Sequence, residues 1–267
     1  MPSDTVASRL ALPQVTLCAA TSVNVAATIR AMEVCIAQVE FAACKLFTDA
    51  QVVPDHPGIT VVPIRRITDS LAYSDFVLSQ MVDHVDTSHC LVVQWDGHVI
   101  DATRWRPAFI EVDYIGASWP QFDDGHDVGN GGFSLRSRRL MAACRDPGFR
   151  AAYPEDVAIC RVNRTWLEGQ GMRFAPRSLA DLFAAERRGD LNTSFGYHGV
   201  FNMIRAIGID AFWQIYRDLD DHGTIRHDFG AILKEARAGA GGVRRGARMI
   251  VDRVRHALRT RSRTSQG

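Results

Sequence analysis

The chain has 267 residues, of which 46% are hydrophobic and 23% charged, with a formal net charge of +1. That length fits one large α/β domain, or one domain with a small appendage. The near-neutral balance excludes a polyanionic partner for the molecule as a whole, and no window approaches the roughly 18 apolar residues that span a bilayer.

The N-terminal segment, residues 1–12, has neither a basic start nor a continuous apolar stretch, so no secretory leader is expected. The apolar run at 15–20 suits a buried parallel strand. Val25, Ile29, Met32, Ile36 and Val39 then recur at helical spacing. Strands are expected at 44–47 and 59–62, separated by the turn-rich 54–58, and a helix over 69–85 leads into a strand at 90–94. This alternation predicts an α/β fold, a mostly parallel Rossmann-like sheet flanked by helices. Further on, 112–117 reads as a strand, 119–130 as a polar loop, and 137–143, 155–167 and 200–219 as helices. The expected organisation is one domain over 13–225 followed by a basic helical or disordered extension over 226–267. The six cysteines lie inside apolar or helical patterns without Cys-x-x-Cys spacing, and read as reduced core residues of a cytoplasmic protein.

Four pieces carry candidate chemistry. Asp96 follows a buried strand, where ligands of such sheets bind, and a carboxylate there can hold a divalent ion bridging a diphosphate. The bland alternative is the Asp-Gly turn of a hairpin. Gly129, Gly131 and Gly132 permit close backbone approach to a ligand, or form a plain surface turn, and the segment lacks the Lys-Ser/Thr ending of a P-loop. Glu155 and Asp156 follow Pro154 at a helix start, which suits acids electrostatically and also suits a general base whose pKa a neighbouring acid raises. His198, between Tyr197 and Gly199, is a candidate metal ligand or phosphate contact beside the structural alternative. Asn163-Arg-Thr165 matches a glycosylation acceptor pattern, and with no secretory leader expected the match reads as chance.

The tail from 243 to 263 holds eight arginines against Asp252 alone, around an apolar stripe of Val243, Ala247, Ile250, Val254 and Ala257 or Leu258. Such a segment can lie on an anionic membrane surface, which would place the protein peripherally at the inner membrane face, or it can be a solvated terminus. No reader motif or basic stripe on the body supports nucleic-acid binding.

The stretches Gln94-Trp-Asp-Gly97, Asp113-Tyr-Ile-Gly-Ala-Ser-Trp119, Gly129-Asn-Gly-Gly-Phe-Ser-Leu-Arg136 and Phe195-Gly-Tyr-His-Gly199 resemble, in order and wording, a glycosyltransferase-like family of the GT-A fold described as a domain of unknown function. The resemblance runs from Val15 to about Gly199. More distantly, Gly131-Gly-Phe-Ser134 followed by Glu155-Asp-Val157 is similar to the sugar-pocket segment and Glu-Asp motif of β-1,3- and β-1,4-galactosyltransferases and Fringe-type enzymes. The resemblance implies transfer from a nucleotide-sugar, with UDP the expected nucleotide, to a glycan or other hydroxyl acceptor, with inversion. It places the base on Asp156 with Glu155 beside it. Donor and sugar contacts fall on Gln94, Trp95, Asp96, Gly97, Asn130, Gly131 and Gly132, and topology alone puts the uridine near Thr21 and Ser22 at the end of the first strand. The metal, Mn2+ or Mg2+, falls on Asp96 and His198. Gln94 stands where those enzymes carry the first acid of an Asp-x-Asp triplet, which weakens the implied metal site. A non-catalytic nucleotide-sugar or glycan binder, and a metal-dependent phosphohydrolase or nucleotidyltransferase, stay open beside transfer.

Overall fold

The computed structural model describes residues 9–264, with side chains as far as Leu258. The chain contacts divide it into two compact units, one ending at His198 and one beginning at Gly199. The boundary expected at 225/226 from composition lies inside the second unit.

The first unit is built on a six-stranded sheet of order β3-β2-β1-β4-β6-β5. Its strands are β1 (Leu10–Ala20), β2 (Val39–Thr48), β3 (Ile59–Pro63), β4 (His89–Val93), β5 (Tyr114–Ile115) and β6 (Phe133–Ser137). β1 pairs in parallel with β2 and β4, β2 with β3 likewise, and β6 runs antiparallel to both β4 and β5. The mostly parallel α/β sheet expected from the sequence is present.

Alternation along β1 explains its continuous apolar run. Leu17 and Ala19 join the core on one face, with Met32, Cys35 and Ile36 of α1 (Val25–Gln38). Cys18 and Ala20 join a second core on the other face, with Phe76 and Val77 of α2 (Ser70–Ser79). A strand covered on both faces needs no polar side, which is why the pattern reads as unbroken hydrophobicity. Asp69 caps α2 by accepting the Ala72 N–H at 2.9 Å, a contact worth about 1 kcal/mol. All six cysteines are free and buried, as read from their patterns.

Three sequence expectations are corrected. The glycine-rich stretch runs directly into β6, whose five residues are all buried; the turn signals before it mask the strand. The helix expected over 155–167 is broken into α4 (Glu155–Val157), a π-helical turn Ala158–Val162 and α5 (Arg164–Gly169), following α3 (Arg138–Ala143). Asn163 interrupts it, its side-chain amide donating to Arg150 O at 2.8 Å and Ala158 O at 3.0 Å, so it is buried and closed to modification. The helix expected over 200–219 is divided at Gly208, whose φ of 82° no helix interior accommodates.

The first unit ends with α6 (Arg177–Phe183) and a short parallel pair, β7 (Ala184–Ala185) and β8 (Gly196–Tyr197). The second unit comprises α7 (Val200–Ile207), α8 (Ile209–Asp218), α9 (Phe229–Ala236) and α10 (Gly242–Thr264). Among the described residues no helix is long and apolar enough to cross a membrane.

Candidate functional site

The parallel strands bring their carboxyl ends to one edge of the sheet, where Thr21 follows β1 and Gln94 to Gly97 follow β4. Asp96-Gly97 is a turn, with the Gly97 N–H donating to Gln94 O at 3.1 Å, but it closes no hairpin, because β4 pairs with β6. The register pairs Val93 with Phe133 across antiparallel strands. It therefore sets Gln94–Gly97, leaving β4, beside Asn130–Gly132, entering β6. The bridge between Val99 and Gly196 brings the end of β8, and so His198, to the same edge.

His198 is the centre of this convergence. Its Nε2 lies 3.5 Å from Asp96 Oδ1 and 3.2 Å from Gln94 Oε1. Its Nδ1 lies 3.2 Å from Glu186 Oε1 and 3.2 Å from Asn130 Nδ2. Burial disfavours the charged ring, but Asp96 and then Glu186 outweigh it and push the imidazole pKa up to about 10. In that state both ring nitrogens donate, to a carboxylate on either side, and the Asn130 amide is a neighbour rather than a donor. Asn130 itself sits in the left-handed region at φ 63°, with its Oδ1 accepting the Gly132 N–H at 2.9 Å. Its carbonyl accepts the Tyr114 hydroxyl at 2.8 Å.

The glycines of this loop are required by protein atoms packed against them. A Cβ on Gly132 would collide with His198 Nε2, one on Gly131 with Glu155 Oε1, and one on Gly129 with the Trp119 ring. The missing side chains let Trp119, His198 and Glu155 of α4 close on the loop.

Glu155 and Asp156 take different roles. Glu155 turns inward and pairs with Arg136 of β6, Oε1 to Nη2 3.0 Å, both side chains being buried. Arg136 in turn donates through Nη2 to Gly131 O at 3.3 Å and through Nε to Ser134 Oγ at 3.0 Å. This network ties α4 to the glycine loop and makes Glu155 a positioning residue. Asp156 is half-buried, with Oδ2 accepting the Gly131 N–H at 3.1 Å and Oδ1 the Val157 N–H at 2.8 Å. Burial first, and then the charge of Glu155, push its pKa up to about 6 against the opposing pull of those N–H bonds and Arg136.

Thr21 stands at the end of β1, its Oγ1 donating to Val23 O. Ser22 Oγ accepts the Ile67 N–H at 2.8 Å, which fixes the approach to α2. Trp95 and Gly97 are buried in the turn that carries Asp96.

Among the described residues no three His, Cys, Asp or Glu side chains gather to hold a metal. Asp96 Oδ1, His198 Nε2 and the amide oxygen of Gln94 do gather, within 3.5 Å of the imidazole nitrogen. One carboxylate and few other protein donors fit a hard cation that completes its shell with phosphate oxygens and water.

Two residues of the site were not singled out from the sequence. Glu186 lies in a charged run that reads as solvated surface, and nothing local distinguishes it. Arg136 had a signal: a charged residue at the inward phase of a strand whose neighbours are all apolar or small.

A family model described as "Protein of unknown function (DUF5672)" matches residues 58–198. The match includes the whole site except Thr21. None of the curated proteins matches the chain in sequence. Among solved structures, the mannosyltransferase PcManGT from Pyrobaculum calidifontis, in complex with GDP-Man and Mn2+, is similar at 12% identity over 98% of this chain and 81% of that one, with a TM-score of 0.41. An active-site mutant of LgtC is similar at 13% identity over 81% and 99%, with a TM-score of 0.45. A glycosyltransferase involved in glycosylation of the major capsid of PBCV-1 is similar at 8% identity over 69% and 93%, with a TM-score of 0.40.

Proposed function

The chain belongs to the DUF5672 family, and from that premise we propose that it is a glycosyltransferase of the GT-A type, moving a sugar from a nucleoside-diphosphate donor, UDP being the expected nucleotide, to a hydroxyl acceptor. The observation that carries this reading is the meeting of Asp96, His198 and Gln94 at the carboxyl edge of the parallel sheet, beside a loop that also holds Asp156 through the Gly131 N–H. Such an edge is where α/β sheets bind nucleotides, and the motif order of the sequence agrees with it.

In this reading Asp96, the Gln94 oxygen and His198, once the cation displaces the proton its Nε2 shares with Asp96, would hold Mn2+ or Mg2+, which supplies charge to stabilise the departing diphosphate. Asp156, with its pKa pushed up to about 6, accepts the acceptor's proton at its carboxylate. The acceptor oxygen bonds to the anomeric carbon as the bond to the diphosphate oxygen breaks, with inversion, giving a glycoside and a nucleoside diphosphate. Arg136 and Glu155 hold the loop in place. Donor contacts are assigned to Thr21, Trp95, Gly97 and the Asn130–Gly132 backbone. The expected setting is the cytoplasm, with the basic α10 against an anionic membrane surface.

The second reading, a nucleotide-sugar binder without turnover, is favoured by one observation: only one acid stands in Gln94-Trp95-Asp96. Calorimetric titration of UDP, GDP, CMP and UDP-sugars, with and without Mn2+, on wild type and Asp96→Ala tests both. Metal-dependent binding lost in Asp96→Ala supports the site, and sugar transfer or donor hydrolysis, lost in Asp156→Asn, separates enzyme from binder. No binding to any nucleotide overturns both readings.

A further inference from the structure

We infer that the second unit carries a lipid site: the cavity beside α10 takes the alkyl chain of a single-chain amphiphile whose head is a phosphate. The inference extends the membrane contact proposed above and does not depend on sugar transfer.

The first observation is which face of α10 is covered. Met249, Asp252 and Arg245, at 0%, 8% and 9% exposure, form its inward face. Arg245 is spent on the second unit's own backbone, donating to Ala236 O at 2.8 Å and Ala238 O at 2.7 Å. The apolar residues read from the sequence as an amphipathic stripe face the other way: Val243, Ile250, Val254 and Leu258 are 80%, 48%, 53% and 60% exposed. Their spacing of four or seven residues keeps them on one side of the helix. Arg244, Arg248 and Arg255 flank that side and are exposed, Arg248 and Arg255 also reaching Asp252 of the inward face at 2.7 and 3.9 Å. A helix that turns its apolar stripe outward between arginines is suited to an anionic interface.

The second observation is a cavity of about 270 Å³ in this unit, lined by Tyr216, Ile225, Phe229, Met249 and Ala257 together with arginines and histidines. Ala257 lies three residues from Val254 and one from Leu258, so the cavity borders the exposed stripe. Arg226 and Arg253 line it, the latter with Cζ 4.4 Å from the Phe229 ring centroid, and no acid does. His256 lines it too, with Nδ1 3.9 Å from Asp221 Oδ1. His222 Nε2 is buried there without a hydrogen-bond partner among the described residues. An apolar floor calls for a hydrocarbon chain, and a cationic rim with no acid calls for an anionic head.

The test is calorimetric titration of the full chain with dodecyl phosphate below its micelle concentration, with dodecanol and inorganic phosphate as separate arms. Dodecyl phosphate is expected to bind, inorganic phosphate not to, and dodecanol at least tenfold more weakly. Ala257→Trp, an exposed position whose new ring fills the cavity, is expected to weaken dodecyl phosphate at least tenfold, and Arg226→Ala to weaken it without affecting dodecanol. Absent binding of dodecyl phosphate, equal binding of inorganic phosphate, or wild-type binding by Ala257→Trp overturns the site. A dimer that Ala257→Trp dissolves, with no alkyl phosphate bound, assigns the cavity to a second copy and also overturns it. Phosphatidylglycerol vesicles, with Val254→Asp/Leu258→Asp, address the membrane contact separately: failure of vesicle binding with dodecyl phosphate still bound removes the membrane contact and leaves the cavity's ligand standing.

Discussion

Arg136 and Glu155 form a buried ion pair at 3.0 Å, with side-chain exposures of 1% and 5%, that links β6 to the start of α4. Neither charge has bulk water to return to, so removing one leaves the other stranded. Glu155→Ala is expected to lose about 3–5 kcal/mol of stability, read from urea unfolding. Asp156→Asn, one residue away, should keep most of the stability and lose turnover on the order of 10²–10⁴-fold if Asp156 is the base. A reversal of those two outcomes would exchange the roles given to the pair.

Asp156 also sets a pH signature. Its folded pKa, about 6, is above the ordinary 3.8, so the native state holds the proton more tightly. The stability this contributes is fully present below about 3.8 and is lost as pH rises through 6. Urea midpoints between those values should fall with pH in wild type more steeply than in Asp156→Asn. Transfer activity, which needs the ionised carboxylate, should instead rise through pH 6, giving opposite slopes for stability and rate.

The His198 ring, between Asp96 and Glu186, has its pKa pushed up to about 10 from an ordinary 6.5. In metal-free protein its NMR titration should therefore show imidazolium at pH 8. The stability linked to this charge is present below 6.5 and is lost as pH rises through 10. Asp96→Asn should lower the pKa, because it removes the charge that contributes most to raising it. An unchanged titration in that variant would place the raised pKa on Glu186 alone.

Gly132→Ala tests the packing of the loop. The new methyl group would collide with His198 Nε2, and the backbone around it is buried. The expected cost is about 1–3 kcal/mol in unfolding, together with weakened nucleotide binding as His198 shifts. Gly125→Ala, at φ 78° on the exposed loop, meets no neighbouring atoms. It should leave nucleotide binding unchanged.

The end of β1 and the whole of β4 were legible because both are covered on both faces, and a buried strand writes itself as an unbroken apolar run. β6 was not: its sequence Phe-Ser-Leu-Arg-Ser mixes apolar, hydroxyl and charged residues, since Arg136 and Ser134 are buried as hydrogen-bonding partners rather than as hydrocarbon. Asp96, Asp156 and His198 were legible because a carboxylate after a buried strand, an acid pair at a helix start and a histidine beside glycines are each local signals. Glu186 reaches His198 only through β7 and β8, a two-residue pairing that no local pattern announces. The positions of the glycines were legible but the protein atoms packed against them were not, because a sequence cannot say which atom fills the space a side chain leaves.

His198 is the last residue of the first unit, and the family match ends on the same residue. A shortened chain stopping there would end in a free carboxylate on the residue that Asp96 and Glu186 already flank. A third negative charge would then sit beside the imidazole, tightening its hold on a proton and opposing an incoming diphosphate. Excising the second unit is thus also an electrostatic substitution at the sheet edge. A truncated form intended to report on the first unit alone needs its new terminus carried several residues past Gly199 or capped as an amide.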